Sequence, residues 1–324
     1  MALPFTNSPQ QRLPQGNSSF LIQESTLDDW KRIVDLSADT QRWAMAYDDF
    51  PVWKKAFGEQ NAELLVAKKP DGQVIGFVSI AKFGPDIAAV GNYYVHPAYR
   101  GQGIGMQLFD KVTQTSLAEG RNLSLNAAFL LSKKYADNGF DKYPDWGLRA
   151  HVVTGANGAE IATLVHNSKI VSLKAVEFDQ IATYDRSVAA NVDRSEWLEA
   201  WINHPTGRCK IALDTTNHVI GYGVVREVSQ NRLVFGPLYA NDQGTAAALI
   251  KVILEEVDDY PSREIHFLSP STNEEMNELT AMLSRPRGTY EHRGDDGICQ
   301  FTKKVLKVDV RKVYAVADVA LCFI

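Results

Sequence analysis

The chain of 324 residues is 45% apolar and 23% charged, the composition of a globular protein with room for two domains of ordinary size. Its formal net charge is −5, with the first half near neutral, so neither half offers the basic field that nucleic acid or an anionic membrane would need. A small-molecule partner fits better. The three cysteines, Cys209, Cys299 and Cys322, are too few and too widely spaced for a disulfide framework or a metal site, which points to free thiols in a reduced, cytoplasmic setting.

Residues 1–18, rich in Pro, Gln, Asn and Ser, read as a mobile tail without the basic and apolar regions of a secretory signal. No apolar run reaches the roughly 18 residues of a transmembrane helix. Phe20-Leu21-Ile22 reads as a short strand. Ser25 or Thr26 can cap a helix whose apolar side is Leu27, Trp30, Ile33, Val34 and Leu36. A second helical stretch is expected from Arg42 to Phe57, with Asp48 and Asp49 on its polar side. The period then changes to that of strands, at 64–67, 74–80 and 87–95, joined by turns at Lys69-Pro70-Asp71-Gly72 and Phe83-Gly84-Pro85-Asp86.

The third strand ends at Pro97, and Arg100, Gly101, Gly103 and Gly105 follow just as an amphipathic helix begins at Ile104. A glycine-rich turn at a helix N-terminus gathers backbone N–H groups and partial positive charge at one point, which suits a phosphate or pyrophosphate. The helix is expected to run to Leu117 and to close at Gly120. A strand at 123–127, parallel to the one at 87–95, a short helix over 130–138, and a strand near 148–153 complete the first half. Gly155 to Gly158 has linker composition.

The second half presents a strand at 170–173 and a helix holding Trp197, Leu198 and Trp201. Strands at 209–213, 219–226 and 232–239 follow, then a helix over 244–257, a strand at 264–268, a helix over 273–284 and a strand near 313–317. The order repeats that of the first half. Val74-Ile75-Gly76-Phe77 matches Val219-Ile220-Gly221-Tyr222 at a shift of 145, which also carries Tyr94 onto Tyr239. Leu108-Phe109 matches Leu249-Ile250 at a shift of 141. The second copy keeps no counterpart of Arg100 or of the three-glycine loop, so one anion site is expected and not two.

The loop is not a dinucleotide fingerprint, because the strands before it are hairpin-linked. It is not a P-loop, because no Lys-Ser/Thr follows Gly105. Arg100-x-x-Gly103-x-Gly105 after Val95-His96-Pro97 closely resembles the acetyl-CoA signature (Q/R)-x-x-G-x-(G/A) of the GCN5-related N-acetyltransferases (GNAT). Tyr135-Ala136-Asp137-Asn138-Gly139-Phe140 resembles that family's Tyr-x-x-x-Gly-Phe ending. The segment Val219 to Ala240, with Asn273-Glu274-Glu275-Met276 and Lys312-Val313-Tyr314, resembles the degenerate C-terminal acetyltransferase domain of a group that includes nematode and bacterial YitH-like proteins.

The resemblance implies an α+β fold of two tandem GNAT-like domains, each a mixed, mostly antiparallel sheet flanked by helices. The expected boundaries are a GNAT domain over 19–155, a linker over 156–168 and a degenerate domain over 169–324. It implies an acyl-CoA-dependent N-acyltransferase, using acetyl-CoA and a small-molecule amine and needing no metal, and a monomer or homodimer. The main chain of Tyr94, Val95, Arg100, Gly101, Gln102, Gly103, Ile104, Gly105 and Met106 would hold the cofactor, with Asn126 on the pantetheine arm. The Val95 N–H would polarise the acyl carbonyl, and Tyr135 would act as general acid. His96, Asp48, Asp49 and His151 are the base candidates. The second half would cover the acceptor site, dimerise, bind another ligand or serve as a structural lobe. A non-catalytic acyl-CoA binder and an O-acyltransferase are the alternatives.

Overall fold

The computed structural model describes residues 19–318 and 323–324, with only the backbone at 292–296. The expected mobile tail (1–18) and Cys322 lie outside the described residues. The first half starts with β1 (Leu21–Glu24) and α1 (Leu27–Gln41). Thr26 and Asp29 form a reciprocal capping box at the start of α1, which satisfies two otherwise unpaired donors. Helix α2 (Asp49–Phe57) is shorter than expected. Arg42 adopts a left-handed conformation (φ 57°) that ends α1, and 42–48 crosses to α2 as a non-helical segment.

Then come β2 (Ala62–Lys68), β3 (Val74–Phe83), β4 (Ile87–Val95), α3 (Ile104–Ala118), β5 (Asn122–Ala127), α4 (Ser132–Ala136) and β6 (Gly147–Thr154). The stretch expected as linker holds a short helix, α5 (Gly158–Ile161), whose Ile161 is fully buried in the second half's core. The second half contributes β7 (Lys169–Ser172), α6 (Phe178–Val188), α7 (Ser195–Ile202), β8 (Gly207–Leu213), β9 (Val219–Val228) and β10 (Arg232–Ala240). It ends with α8 (Gln243–Leu254), β11 (Ile265–Pro270), α9 (Glu274–Leu283), β12 (Thr289–Phe301) and β13 (Val313–Ala315). The sequence reading missed α6 and β12.

All these strands form one sheet, in the order β1-β2-β3-β4-β5-β12-β6-β11-β10-β9-β8-β7, with β13 added on β10. The halves exchange their sixth strands. β12 pairs with β5 of the first half, β6 pairs with β11 of the second, and β6 and β12 pair with each other, all antiparallel. The shift of 141 carries His151 onto position 292, and these two residues are Cα partners across the β6–β12 seam. The seam is therefore the pseudo-twofold of the duplication. The shift of 145 also has a structural counterpart: a Cβ on Gly76 would meet Tyr94 O, and one on Gly221 would meet Tyr239 O.

Alternation along the strands splits the apolar residues between two faces. One face carries α3 and α4 over the first half, while α5, α8 and α9 cover the same side of the second. On the opposite face α1, α2, α6 and α7 share a single core that runs through both halves and gathers all six tryptophans.

Within that shared core Asp49 of α2 is buried and paired with Arg226 of β9, and His204 Nε2 lies 3.1 Å from Asp49 Oδ1. The Arg226 guanidinium also lies over the Trp201 ring, 4.2 Å from its centroid. Burial alone would raise the carboxyl pKa, but Arg226, His204 and the Ala46 N–H outweigh it and hold Asp49 below the usual carboxylate value. Asp49 is thus a lock between the halves and not a substrate-facing base. Arg226→Met should cost about 3–5 kcal/mol, because it strands a buried carboxylate, read as a lower urea midpoint at constant m-value. The double change Asp49→Asn with Arg226→Met should cost less than Arg226→Met alone. A depressed carboxyl pKa stabilises above the unfolded value of roughly 4, and that contribution should fade as pH falls through the lower folded value.

Candidate active site

β4 and β5 run parallel but stay paired only from Ile87↔Asn122 to Val90↔Leu125. Beyond that point β4 bulges. Phe77 faces Tyr94 and Ser79 faces Gly91, so Asn92 and Tyr93 stand opposite Val78 alone. Asn92 takes a positive φ of 48° there. A bulge bends its strand and ends regular pairing, so the two strands part into a cleft at their C-terminal ends.

The direction of the Val95 amide follows from the register. The His96 N–H donates to Ile75 O at 2.9 Å, so residues 96 and 75 are a hydrogen-bonded pair and 95 and 76 are not. In an antiparallel ladder the N–H of a non-hydrogen-bonded pair points away from the partner strand. The Val95 N–H therefore points away from β3, towards the cleft. The Val95 carbonyl points the same way and accepts from Arg100 Nε at 2.9 Å. Arg100 thus ties the loop down onto the end of β4.

The loop itself begins with a single 3-10 turn, Pro97–Tyr99, capped by His96 Nδ1 accepting from the Ala98 N–H at 3.3 Å. Gly101 and Gly103 have φ of 79° and 80°, and Gly103 occupies the N-cap of α3 without a side chain to fill that position. Among the described residues no acceptor takes the N–H groups of 101–106. Ile104 is buried against Gly76 and anchors the first turn. Gly105 has a different reason: a Cβ there would run into the Tyr93 hydroxyl and Val95 Cγ2. Gln102 is exposed and Met106 half-buried. The outcome is a row of free amides on a helix N-terminus, with no acidic side chain in the loop or the first turn.

Tyr135 lies on α4, its ring 6.1 Å from that of Tyr93 and 5.7 Å from that of Phe109. Burial pushes its phenol well above the ordinary tyrosine value, with a smaller contribution from Tyr93. It is therefore protonated at neutral pH, and its hydroxyl has no hydrogen-bond partner among the described residues. Asn126 sits on β5 beside the cleft, its Oδ1 accepting from Cys299 Sγ at 3.0 Å. Cys299 belongs to β12, so the exchanged strand lines the site. Tyr94 points to the other face, stacked on Phe77 with centroids 5.1 Å apart, which leaves only its main chain on the cleft side.

The base candidates separate. His151 is buried between Tyr290 Oη (2.9 Å) and Ser269 Oγ (2.8 Å) at the centre of the exchanged strands, away from the loop. His96 is a turn cap and Asp49 is in the buried lock. Asp48 is half-buried just before α2 and makes no side-chain cap. The segment that holds it is gripped from the second half. Arg232 donates to Arg42 O (3.2 Å) and Trp43 O (2.7 Å), and the Ser229 N–H donates to Met45 O (3.0 Å).

The same junction in the second half is closed. Asp242 caps α8, accepting from the Thr245 N–H at 2.8 Å and from Thr245 Oγ1 at 3.0 Å. Its carboxylate stands where the first half offers free amides. Val165 O packs so closely on Gly244 that no Cβ would fit. Negative charge and a covering segment together disfavour a phosphate there. The missing glycines are an expectation from the sequence; Asp242 is not, although its position before Gln243-Gly244-Thr245 is an ordinary N-cap signal.

Two family models match in tandem, the Acetyltransferase (GNAT) family over residues 30–129 and the Acetyltransferase (GNAT) domain over 181–287. The holothin acyltransferase of Pseudoalteromonas sp. (strain SANK 73390) is 21% identical, over 80% of this chain and 84% of that protein. An uncharacterised protein of Caenorhabditis elegans is 24% identical, over 69% and 71% respectively. Among solved structures, a putative acetyltransferase from Pyrococcus horikoshii superposes with a TM-score of 0.69 at 16% identity, covering 98% of this chain and all of that one. A tandem GNAT protein from the clavulanic acid biosynthesis pathway superposes with 0.60 at 16% identity, covering 87% and 98%. With two matched units, one strand-exchanged sheet and a glycine loop at the expected strand–helix junction, the chain belongs to the GNAT superfamily as a tandem GNAT protein.

Proposed function

We propose that this protein is an acyl-CoA-dependent N-acyltransferase that moves an acetyl group from acetyl-CoA to a primary amine of a small molecule. The observation that carries this reading is the row of unpaired amides at 101–106 opening beside the β4–β5 cleft. The name of the holothin acyltransferase relative supports acyl transfer. Those amides fit a pyrophosphate, because glycine at 101 and 103 permits the positive φ that turns successive N–H groups inwards. Asn126 Nδ2 is left to bond the pantetheine arm once Cys299 has fixed its Oδ1. Bound acetyl-CoA would supply the activated acyl group. The Val95 N–H donates to the acyl oxygen, and Tyr135 gives its proton to the departing sulfur. With Asp49, His96 and His151 engaged elsewhere, the acceptor enters as the free amine: its nitrogen attacks the acyl carbon, the carbon–sulfur bond breaks, and the surplus nitrogen proton passes to water.

Incubating the protein with acetyl-CoA and a panel of small amines should release CoA thiol. Tight acetyl-CoA binding without turnover on any amine would make it a binding protein instead. Tyr135→Phe should lower kcat about 10²–10⁴-fold with little change in KM for acetyl-CoA. Without one of those three groups as base, kcat/KM should climb with pH until the acceptor amine itself is deprotonated, near 10 for a simple alkylamine. Gly103→Glu places a carboxylate against the amides and should abolish CoA binding in calorimetry. The wild type should bind one CoA per chain. Asp242→Ala should leave that stoichiometry at one while removing the α8 cap, at a cost of about 0.5–2 kcal/mol in stability.

A further inference from the structure

The exchanged strand β12 reaches the helix that carries Tyr135. Gln300 of β12 is fully buried. Its Nε2 donates to Phe140 O at 2.6 Å and Ser132 O at 3.2 Å, with Tyr143 Oη at 3.4 Å. Ser132 is the first residue of α4, and Phe140 follows the turn that closes it. One side-chain amide therefore ties both ends of a five-residue helix, a length that has no stability by itself. Two of the three partners are main-chain carbonyls, which only accept, so the nitrogen and not the oxygen must face them. Gln300 Oε1 is buried with no hydrogen-bond partner, an unfavourable arrangement that an apolar residue would avoid. The residue is thus suited to its site by the donor it offers to α4.

The rings of Tyr93 and Phe109 press on Tyr135 from one side, but apolar packing is non-directional and does not set the height of α4 over the cleft. The directional contacts that do so come from the other half of the chain. We propose that Gln300 is a positioning residue for Tyr135, so that the active site carried by the first half is completed by a strand of the second. This rests on the reading of Tyr135 as the acid.

The test compares wild type, Gln300→Leu, Gln300→Glu, Tyr135→Phe and the Gln300→Leu/Tyr135→Phe pair in the full chain. Gln300→Leu should lower kcat on the order of tenfold or more, with KM for acetyl-CoA changed far less, and should have no further effect once Tyr135 is Phe. Amides 132–140 should exchange faster with deuterium in Gln300→Leu, while those of α3 keep their protection. Gln300→Glu keeps the shape but donates only when protonated, so its kcat relative to wild type should be highest at low pH and fall as the carboxyl ionises. It also serves as the assay protein if the leucine variant does not fold. Equal losses in both Tyr135 backgrounds, or unchanged protection of α4, would overturn the proposal. A Tyr135→Phe protein with wild-type kcat would instead overturn the acid role, and the exchange data would still decide whether Gln300 holds α4.

Discussion

The arrangement depends on an exchange of two strands. β5 and β11 would each present unpaired N–H and C=O groups at a sheet edge, which is unfavourable when buried and hazardous when exposed. Each is covered by the sixth strand of the other half, and the two exchanged strands cover each other. Neither half can complete its sheet alone. Two units of one family form one continuous sheet with one shared tryptophan-rich core.

That exchange gives the second half a part in the site. β12 places Cys299 against Asn126 and Gln300 under α4. From the opposite face of the sheet, β9, β10 and the turn between them grip 42–48 and the start of α2 through Arg226, Ser229 and Arg232. The first half provides the amides and Tyr135. The second contacts the elements on either side of them.

The two strand–helix junctions show how little sequence separates an open helix N-terminus from a closed one. Gly103 at the α3 N-cap leaves the helix amides open, whereas Asp242 at the α8 N-cap fills them with a carboxylate from the chain itself. The two junctions are alternative treatments of one kind of helix N-terminus. The first leaves the amides open, and the second fills them from within the chain.

What the sequence alone determined is what depends on local order. The hairpin strands, the glycine loop before Ile104, the parallel return at β5 and the repeat offsets of 145 and 141 are all encoded by neighbouring residues, through side-chain period, turn chemistry and positive φ. The tertiary structure decided whatever depends on residues distant in the chain. Asp49 and His151 read as base candidates in sequence, yet one is neutralised by a partner 177 residues away and the other is enclosed by Ser269 and Tyr290. The helix expected from Arg42 breaks because a left-handed Arg42 and the second half's Arg232 hold 42–48 otherwise. β12, which the sequence analysis leaves unassigned, is a strand that pairs with the edges of both β5 and β6. Local propensity selects elements, but edge satisfaction and charge burial, which are properties of the closed sheet, select where they pair.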